Sequence, residues 1–186
     1  WRNIINTLIY RVHNFLKETI RTVPHWPIKG VMFRDITTLL QNPEAFRSTC
    51  DRFYDRYKEM EIDKVVGIDA RGFIFGAVLA YRLNVGFVPI RKKGKLPHKT
   101  IKAEYTLEYG KNIIEMHEDA IEKGEKVLIW DDLIATGGTV LAATKLVEKL
   151  GGEIVECAFL VELPDLKGRE KIKAYNIFTL TSFEGE

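Results

Sequence analysis

Asp131 and Asp132 close an apolar run, Val127 to Trp130, and a loop of Ala135, Thr136, Gly137, Gly138 and Thr139 follows soon after. Adjacent carboxylates repel one another and resist burial. Packing explains such a pair poorly; a ligand that wants two acceptors explains it well. Behind the pair, Gly137 and Gly138 carry no side chains, which lets backbone N–H groups close around an anion. Thr136 and Thr139 add hydroxyl donors, and a helix expected over 140–150 turns its positive end to the same place. That combination is a phosphate cradle. The carboxylates beside it accept hydrogen bonds from the vicinal hydroxyls of a sugar, so the two halves together outline a ribose 5-phosphate. The same acids favour positive charge developing on the sugar ring and lie near any bound Mg²⁺. The loop lacks the Lys of the G-x-x-x-x-G-K-[ST] pattern and the G-x-G-x-x-G spacing, which sets aside a nucleotide kinase and a dinucleotide-binding protein.

The elements that must position these residues alternate between strand-like apolar runs and helix-period segments, the pattern of an α/β fold with a mainly parallel sheet. Ile4, Leu8, Val12, Phe15 and Leu16 form an apolar stripe at helical spacing, predicting an N-terminal helix over 1–16. Asn42 before Pro43 predicts a helix start, with Phe46, Cys50, Phe53 and Tyr57 on one face. Strands are expected at 64–68, 85–90, 111–116, 127–130, 154–161 and 175–180, with a crossover helix over 73–83. Residues 96–112 are polar and weakly periodic, which reads as a long mobile excursion. In an open α/β sheet, ligands sit outside the carboxyl ends of the strands. Two loops there have unusual composition: Asp69-Ala70-Arg71-Gly72 and residues 131–139. No repeat or linker divides the chain, so one domain over 1–186 is expected.

At 186 residues, with 46% hydrophobic and 29% charged residues, the chain has the composition of an ordinary globular domain. A net charge of +2 argues against a dedicated nucleic-acid binder. No apolar stretch approaches the ~20 residues that span a bilayer, and no signal-peptide pattern is present, so a cytoplasmic protein is expected. The chain opens on Trp1 without an initiating Met, which leaves a preceding segment open. Cys50 and Cys157 lie far apart among apolar neighbours and read as small buried hydrophobes rather than as a disulfide or a catalytic thiol. His13, His25, His98 and His117 have no metal-ligand spacing, so no zinc is assigned.

With its preceding strand, DDLIATGGT resembles the phosphoribosyl-diphosphate signature of the type I phosphoribosyltransferases, in the form found in the branch that uses adenine. GVMFRDIT (30–37), GIDARGFIFG (67–76), IRKKGKLP (90–97), YTLEYG (105–110) and LKGREKI (166–172) are similar to the same family, in the same order. The resemblance runs from about residue 17 to 183; the first dozen residues match nothing. It implies a mainly parallel central sheet flanked by helices, a small purine-binding hood at about 24–40, and a mobile catalytic loop at about 97–112. The implied reaction transfers the phosphoribosyl group of 5-phosphoribosyl 1-diphosphate to adenine, giving AMP and diphosphate, as in purine salvage. Mg²⁺ is the implied cofactor, held mainly by substrate and water near Asp131 and Asp132, with no direct protein ligand. A homodimer is implied, with neither nucleic acid nor membrane as a partner. The alternative is a regulator of the same fold that senses phosphoribosyl diphosphate and binds nucleic acid. Such proteins usually add a basic module, and the roughly thirty residues before the first motif are too few for a winged helix.

Carried over position by position, Ala135 to Thr139 hold the 5′-phosphate, and Asp131 with Asp132 face the ribose hydroxyls. Asp69, Ala70 and Arg71 receive the diphosphate, at a turn the family bends through a non-proline cis peptide; a surface salt bridge is the plainer reading of Arg71. Arg91, Lys92, Lys95 and Tyr109 join the diphosphate site by the same resemblance, Arg91 approaching the other subunit's site. By composition alone the basic stretch is equally a solvated loop, and nucleic-acid binding comes third. Phe33 and Leu133 resemble the two faces that sandwich the purine, although composition would leave both in the core. The backbone of Met32 to Arg34 then meets the adenine edge. Family members acting on 6-oxo purines carry an acid where this chain has Ala135, so proton transfer falls to Glu108 in YTLEYG, otherwise a solvated loop acid.

Overall fold

The computed structural model describes residues 15–107 and 110–185. Most of the expected N-terminal stripe, including Ile4, Leu8 and Val12, therefore lies outside the described residues, as do Glu108 and Tyr109. After a helical turn at 15–19, strands β1 (Arg21–Pro24) and β2 (Met32–Asp35) pair antiparallel as a small separate sheet. Helices α1 (Thr37–Gln41) and α2 (Pro43–Tyr57) follow, then β3 (Lys64–Ile68), α3 (Gly72–Leu83), β4 (Gly86–Lys92), β5 (Thr100–Leu107) and β6 (Gly110–His117). The chain continues through β7 (Lys126–Ile134), α4 (Gly138–Leu150), β8 (Glu153–Glu162), the short helix α5 (Gly168–Lys171) and β9 (Ile177–Ser182). The large sheet has seven strands in the order β5-β6-β4-β3-β7-β8-β9. Strands β4, β3, β7, β8 and β9 run parallel, and β6 and β5 add an antiparallel edge.

Strand β7 shows why its run is apolar without a break. Leu128 and Trp130 face the core beneath α1, α2 and α3, whereas Val127 and Ile129 face the core beneath α4, and all four are fully buried. A strand covered on both faces has no polar side to alternate with. Trp130 packs against Phe53 and Phe75 at centroid distances of 5.4 and 5.5 Å, a rigid aromatic floor directly under the acid pair. The Asn42-Pro43 start holds as read: the Asn42 side chain accepts from the N–H groups of Glu44 and Ala45, two donors the first helical turn leaves unpaired. Cys157 is buried and Cys50 half-buried, both as free thiols, and burial raises their pKa values to about 12 and about 11.

Two boundaries differ from the sequence expectation. Strand β7 continues through Asp131 and Asp132 to Ile134, because Asp131, Leu133 and Ile134 find ladder partners in Phe159, Val161 and Glu162 of β8. The acids are strand residues, and the loop proper shrinks to 135–137. The supposed excursion at 96–112 is largely regular. Thr100 pairs with His117 and the register runs without a break to Leu107 and Gly110. Its polar residues alternate with Ile101, Ala103 and Tyr105, which pack against the core beneath α4, so the segment reads as an edge hairpin with one apolar face.

Candidate active site

Pleating sends the two acids in opposite directions. Asp131 turns toward the loop after β7, beside the start of α3. A methyl group on Gly72 would come 2.9 Å from Asp131 Oδ1 and 3.0 Å from Trp130 O, so only glycine lets the helix end approach the strand so closely. Asp131 Oδ1 also accepts from the N–H of Asp132 at 2.9 Å. Asp132 lies on the opposite face, is only 4% exposed, and has Oδ2 2.9 Å from Arg71 Nε. That contact is poorly aligned, and Oδ2 has no hydrogen-bond partner. Burial, then the Asp132 charge, pushes the Asp131 carboxyl well above the ordinary carboxylate range. Burial likewise raises Asp132, opposed by Arg71. The pair thus sits where its negative charge is unfavourable until something donates to it: Asp132 is buried, whereas Asp131 is partly exposed to the cradle beyond it.

The loop after the acids encloses a cavity of about 200 Å³ lined by Asp131, Leu133, Ile134, Ala135, Thr136, Gly137, Gly138, Thr139, Val140 and Phe159. Gly137 has φ +75°, a conformation glycine adopts without strain, and helix α4 begins at the next residue. The five cradle positions read from the sequence are therefore assembled around one space at a helix N-terminus.

A second cavity, about 360 Å³, opens on the other side of Leu133 and Ala135, which line both. Gly30, Val31, Met32, Phe33, Arg34, Arg71, Leu163 and Leu166 complete its wall. Phe33 is braced edge-on by Trp26 at 4.4 Å, and the Arg71 guanidinium lies 5.1 Å from the Phe33 ring centre. Arg34 O faces Arg71 Nη1 at 3.5 Å. Among the described residues strand β2 pairs on one edge only, with β1, and the N–H and C=O of one strand residue point to the same edge. Because Arg34 O faces Arg71 rather than β1, Arg34 and, two residues away, Met32 direct their main-chain groups away from β1, toward the cavity side. Asp35 anchors this strand from below. It accepts from Arg21 and from the N–H and hydroxyl of Thr37, and the Arg21 bond above all lowers its pKa to about 2.

The turn after β3 supplies the third part. The Asp69–Ala70 peptide is cis, as the resemblance implied. Arg91 Nε lies 3.3 Å from Asp69 Oδ2, and Arg91 Nη1 donates to Lys95 O at 3.1 Å, so Arg91 is held at the turn of its own chain. Lys92 and Lys95 are exposed nearby on the same turn. Among the described residues no group of three His, Cys, Asp or Glu side chains is disposed to hold a metal, and no helix is long and apolar enough to cross a membrane.

Sequence reasoning missed the segment between β8 and α5. Leu163 and Leu166 line the apolar cavity, and Gly168 presses on the cradle: a methyl group there would meet Ala135 O at 2.3 Å. The motif LKGREKI carries no assigned role in the sequence, and its glycine is the one sequence signal of a close approach; the structure adds Lys167 before it at positive φ.

A phosphate-sized cradle and an apolar slot sharing one wall, at the carboxyl end of a parallel sheet, define a type I phosphoribosyltransferase architecture. The phosphoribosyl transferase domain family matches residues 35–186. An adenine phosphoribosyltransferase of Desulfosudis oleivorans is 70% identical over 92% of this chain and 99% of its own length. The crystal structure of adenine phosphoribosyltransferase from Rhodothermus marinus superposes with a TM-score of 0.89 at 50% identity, covering 94% of this chain and 99% of that one. The enzyme from Saccharomyces cerevisiae, solved with adenine and an imino-altritol bisphosphate, gives 0.86 at 41% identity, over 92% and 99%. The chain belongs to the phosphoribosyltransferase family, among its adenine phosphoribosyltransferases.

Proposed function

We infer that this protein transfers the 5-phosphoribosyl group of 5-phosphoribosyl 1-diphosphate to adenine, releasing AMP and diphosphate in purine salvage. One observation carries the reading: the cradle and the apolar slot meet at Leu133 and Ala135, so a phosphorylated ribose in one places its reacting carbon beside a flat base in the other. Ala135 to Thr139 hold the 5′-phosphate. Asp131 takes the ribose hydroxyls and stabilises positive charge as the bond to diphosphate breaks. Asp132 acts one step removed, through Arg71, which with Asp69, Ala70, Arg91, Lys92 and Lys95 receives the diphosphate. Mg²⁺ fits an acid pair whose charge is otherwise poorly compensated; when bound with substrate near Asp131 and Asp132 it neutralises part of the diphosphate charge.

The base lies between Phe33 and Leu133, with β1 and β2 as its hood. An outward N–H and C=O on β2 suit a ring-nitrogen acceptor beside an amino donor. A 6-oxo purine reverses both partners and leaves buried groups unpaired. Ala135 carries no proton, so Glu108, on the connection between β5 and β6, serves the imidazole nitrogens of the base. The hairpin closes over the diphosphate and keeps water from the ribosyl cation. A second copy of the chain covers the outer face of α3, where Ile74, Ala77, Val78 and Tyr81 form an apolar stripe and Tyr81 is 85% exposed. Cytoplasmic residence suits substrates of this kind. The deciding assay incubates the protein with 5-phosphoribosyl 1-diphosphate and Mg²⁺ against adenine, hypoxanthine, guanine and orotate. Nucleotide from adenine alone is the expected result, and nucleotide from hypoxanthine in preference to adenine refutes the reading.

A further inference from the structure

Glu115 lies on β6 between the buried Ile114 and Met116 and is itself only 3% exposed, a charged residue among apolar neighbours. It stands directly opposite Arg91 on β4 and directly opposite Lys102 on β5, so a positive, a negative and a positive residue form one row across three strands. The carboxylate is fully used. Oε2 accepts from the N–H of Gly94 at 2.9 Å, and Oε1 lies 3.3 Å from Lys102 Nζ. Gly94 sits at φ +77° in the turn after β4, and a second bond, from Lys93 N to Ile113 O, holds the same turn to β6. Within that turn Lys95 O takes the bond from Arg91 Nη1, and Arg91 Nε reaches Asp69. A continuous line of contacts thus runs from Glu115 through Gly94 and Lys95 to Arg91 and the Asp69 turn. On its other side Glu115, a β6 residue of the hairpin, pairs with Lys102 on the hairpin's other strand.

We propose that Glu115 is a positioning residue for the diphosphate half of the reaction: its buried carboxylate sets the Lys92–Lys95 turn, and through it Arg91, while tying that turn to the hairpin. The proposal rests on reading Arg91 and the Asp69 turn as the diphosphate side of the site. A buried ion pair replaced as a whole by apolar residues is often neutral or stabilising, whereas loss of one partner destabilises by leaving the other unpaired. Lys102 is half exposed and water can take the place of its partner, so what the carboxylate adds beyond stability is placement of the Gly94 N–H and Lys102.

Steady-state kinetics with each substrate varied separately, beside melting temperatures, test the idea on wild type, Glu115→Gln and Glu115→Met. Met keeps the volume and loses the acceptor; Gln keeps an oxygen for Gly94. Loss of one charge-assisted bond predicts about a tenfold rise in KM for 5-phosphoribosyl 1-diphosphate in Glu115→Met. KM for adenine stays unchanged, and Glu115→Gln recovers most of the loss. A purely structural role would move both KM values together, and that outcome overturns the proposal, as does a Gln variant no better than Met. If the Met variant does not fold, Glu115→Asp decides: it keeps the charge and draws the oxygen back from Gly94, and an unchanged KM refutes. An inactive wild type would overturn the functional reading itself; an active wild type with an unaffected Met variant overturns this proposal alone.

Discussion

Replacing Gly168 by alanine tests how the segment after β8 supports the phosphate cradle. The new methyl group would lie 2.3 Å from Ala135 O, 2.8 Å from Ile134 Cγ1 and 3.1 Å from Gly137 N. The closest of these is backbone, so no rotamer change relieves it. Ordinary contact begins at 3.4 Å, and 3.4 − 2.3 leaves about 1.1 Å by which the cradle and the segment must separate. Gly137 has no slack to give, since a methyl group on it would itself come 2.5 Å from Gly168 O. Overpacking of this kind costs about 1–3 kcal/mol, which in a chain this size lowers Tm by roughly 2–12 °C. The functional effect is sharper, because a shift of about 1 Å in groups that position a substrate costs on the order of 10²-fold. Kinetics with 5-phosphoribosyl 1-diphosphate varied should show kcat/KM falling about 10–100-fold. Gly124→Ala is the control: its φ of +87° strains an alanine, but nothing lies within 4 Å of the added methyl. It should lower Tm and leave the kinetics alone. A Gly168→Ala enzyme with wild-type kcat/KM would refute the account of the cradle.

Asp131→Asn should raise the melting temperature of the ligand-free protein at neutral pH while lowering turnover. With both acids raised in the folded state, their stability is fully present below the ordinary carboxylate pKa and is lost as pH rises through the folded value. The advantage of the Asn variant therefore shrinks as pH falls toward about 4, and an advantage that grows on acidification would contradict it. Glu108→Gln should cut turnover about 10²–10⁴-fold with little change in substrate binding. Glu104→Gln on the same hairpin should be tolerated, and the reverse pattern assigns the proton to the wrong glutamate. Ile74→Asp, which sets a charge in the apolar stripe of α3, should shift the protein toward monomer in light scattering; a wild type that is already monomeric and active disproves the dimer.

Much of the frame was legible from sequence because it follows from local rules. Unbroken apolar runs at 65–68 and 127–130 read as strands covered on both faces, Asn42-Pro43 carries its own cap, and the Gly-Thr loop needs no distant partner to be recognised as an anion cradle. The adenine-type signature likewise lies within nine consecutive residues, 131–139. Tertiary structure alone decided how these parts meet. Asp131 and Asp132 are neighbours in sequence yet point to opposite sides, one to the cradle and the other to an arginine from a different strand connection, because ladder pairing extends β7 through both. Leu163, Leu166 and Gly168 reach the site from beyond β8, and Glu115 reaches the diphosphate turn from a hairpin edge. No pattern within a few residues encodes such contacts. They arise where the large sheet, its crossovers and the two-stranded sheet bring distant segments to the carboxyl end of the parallel strands, and only the packed chain places them there.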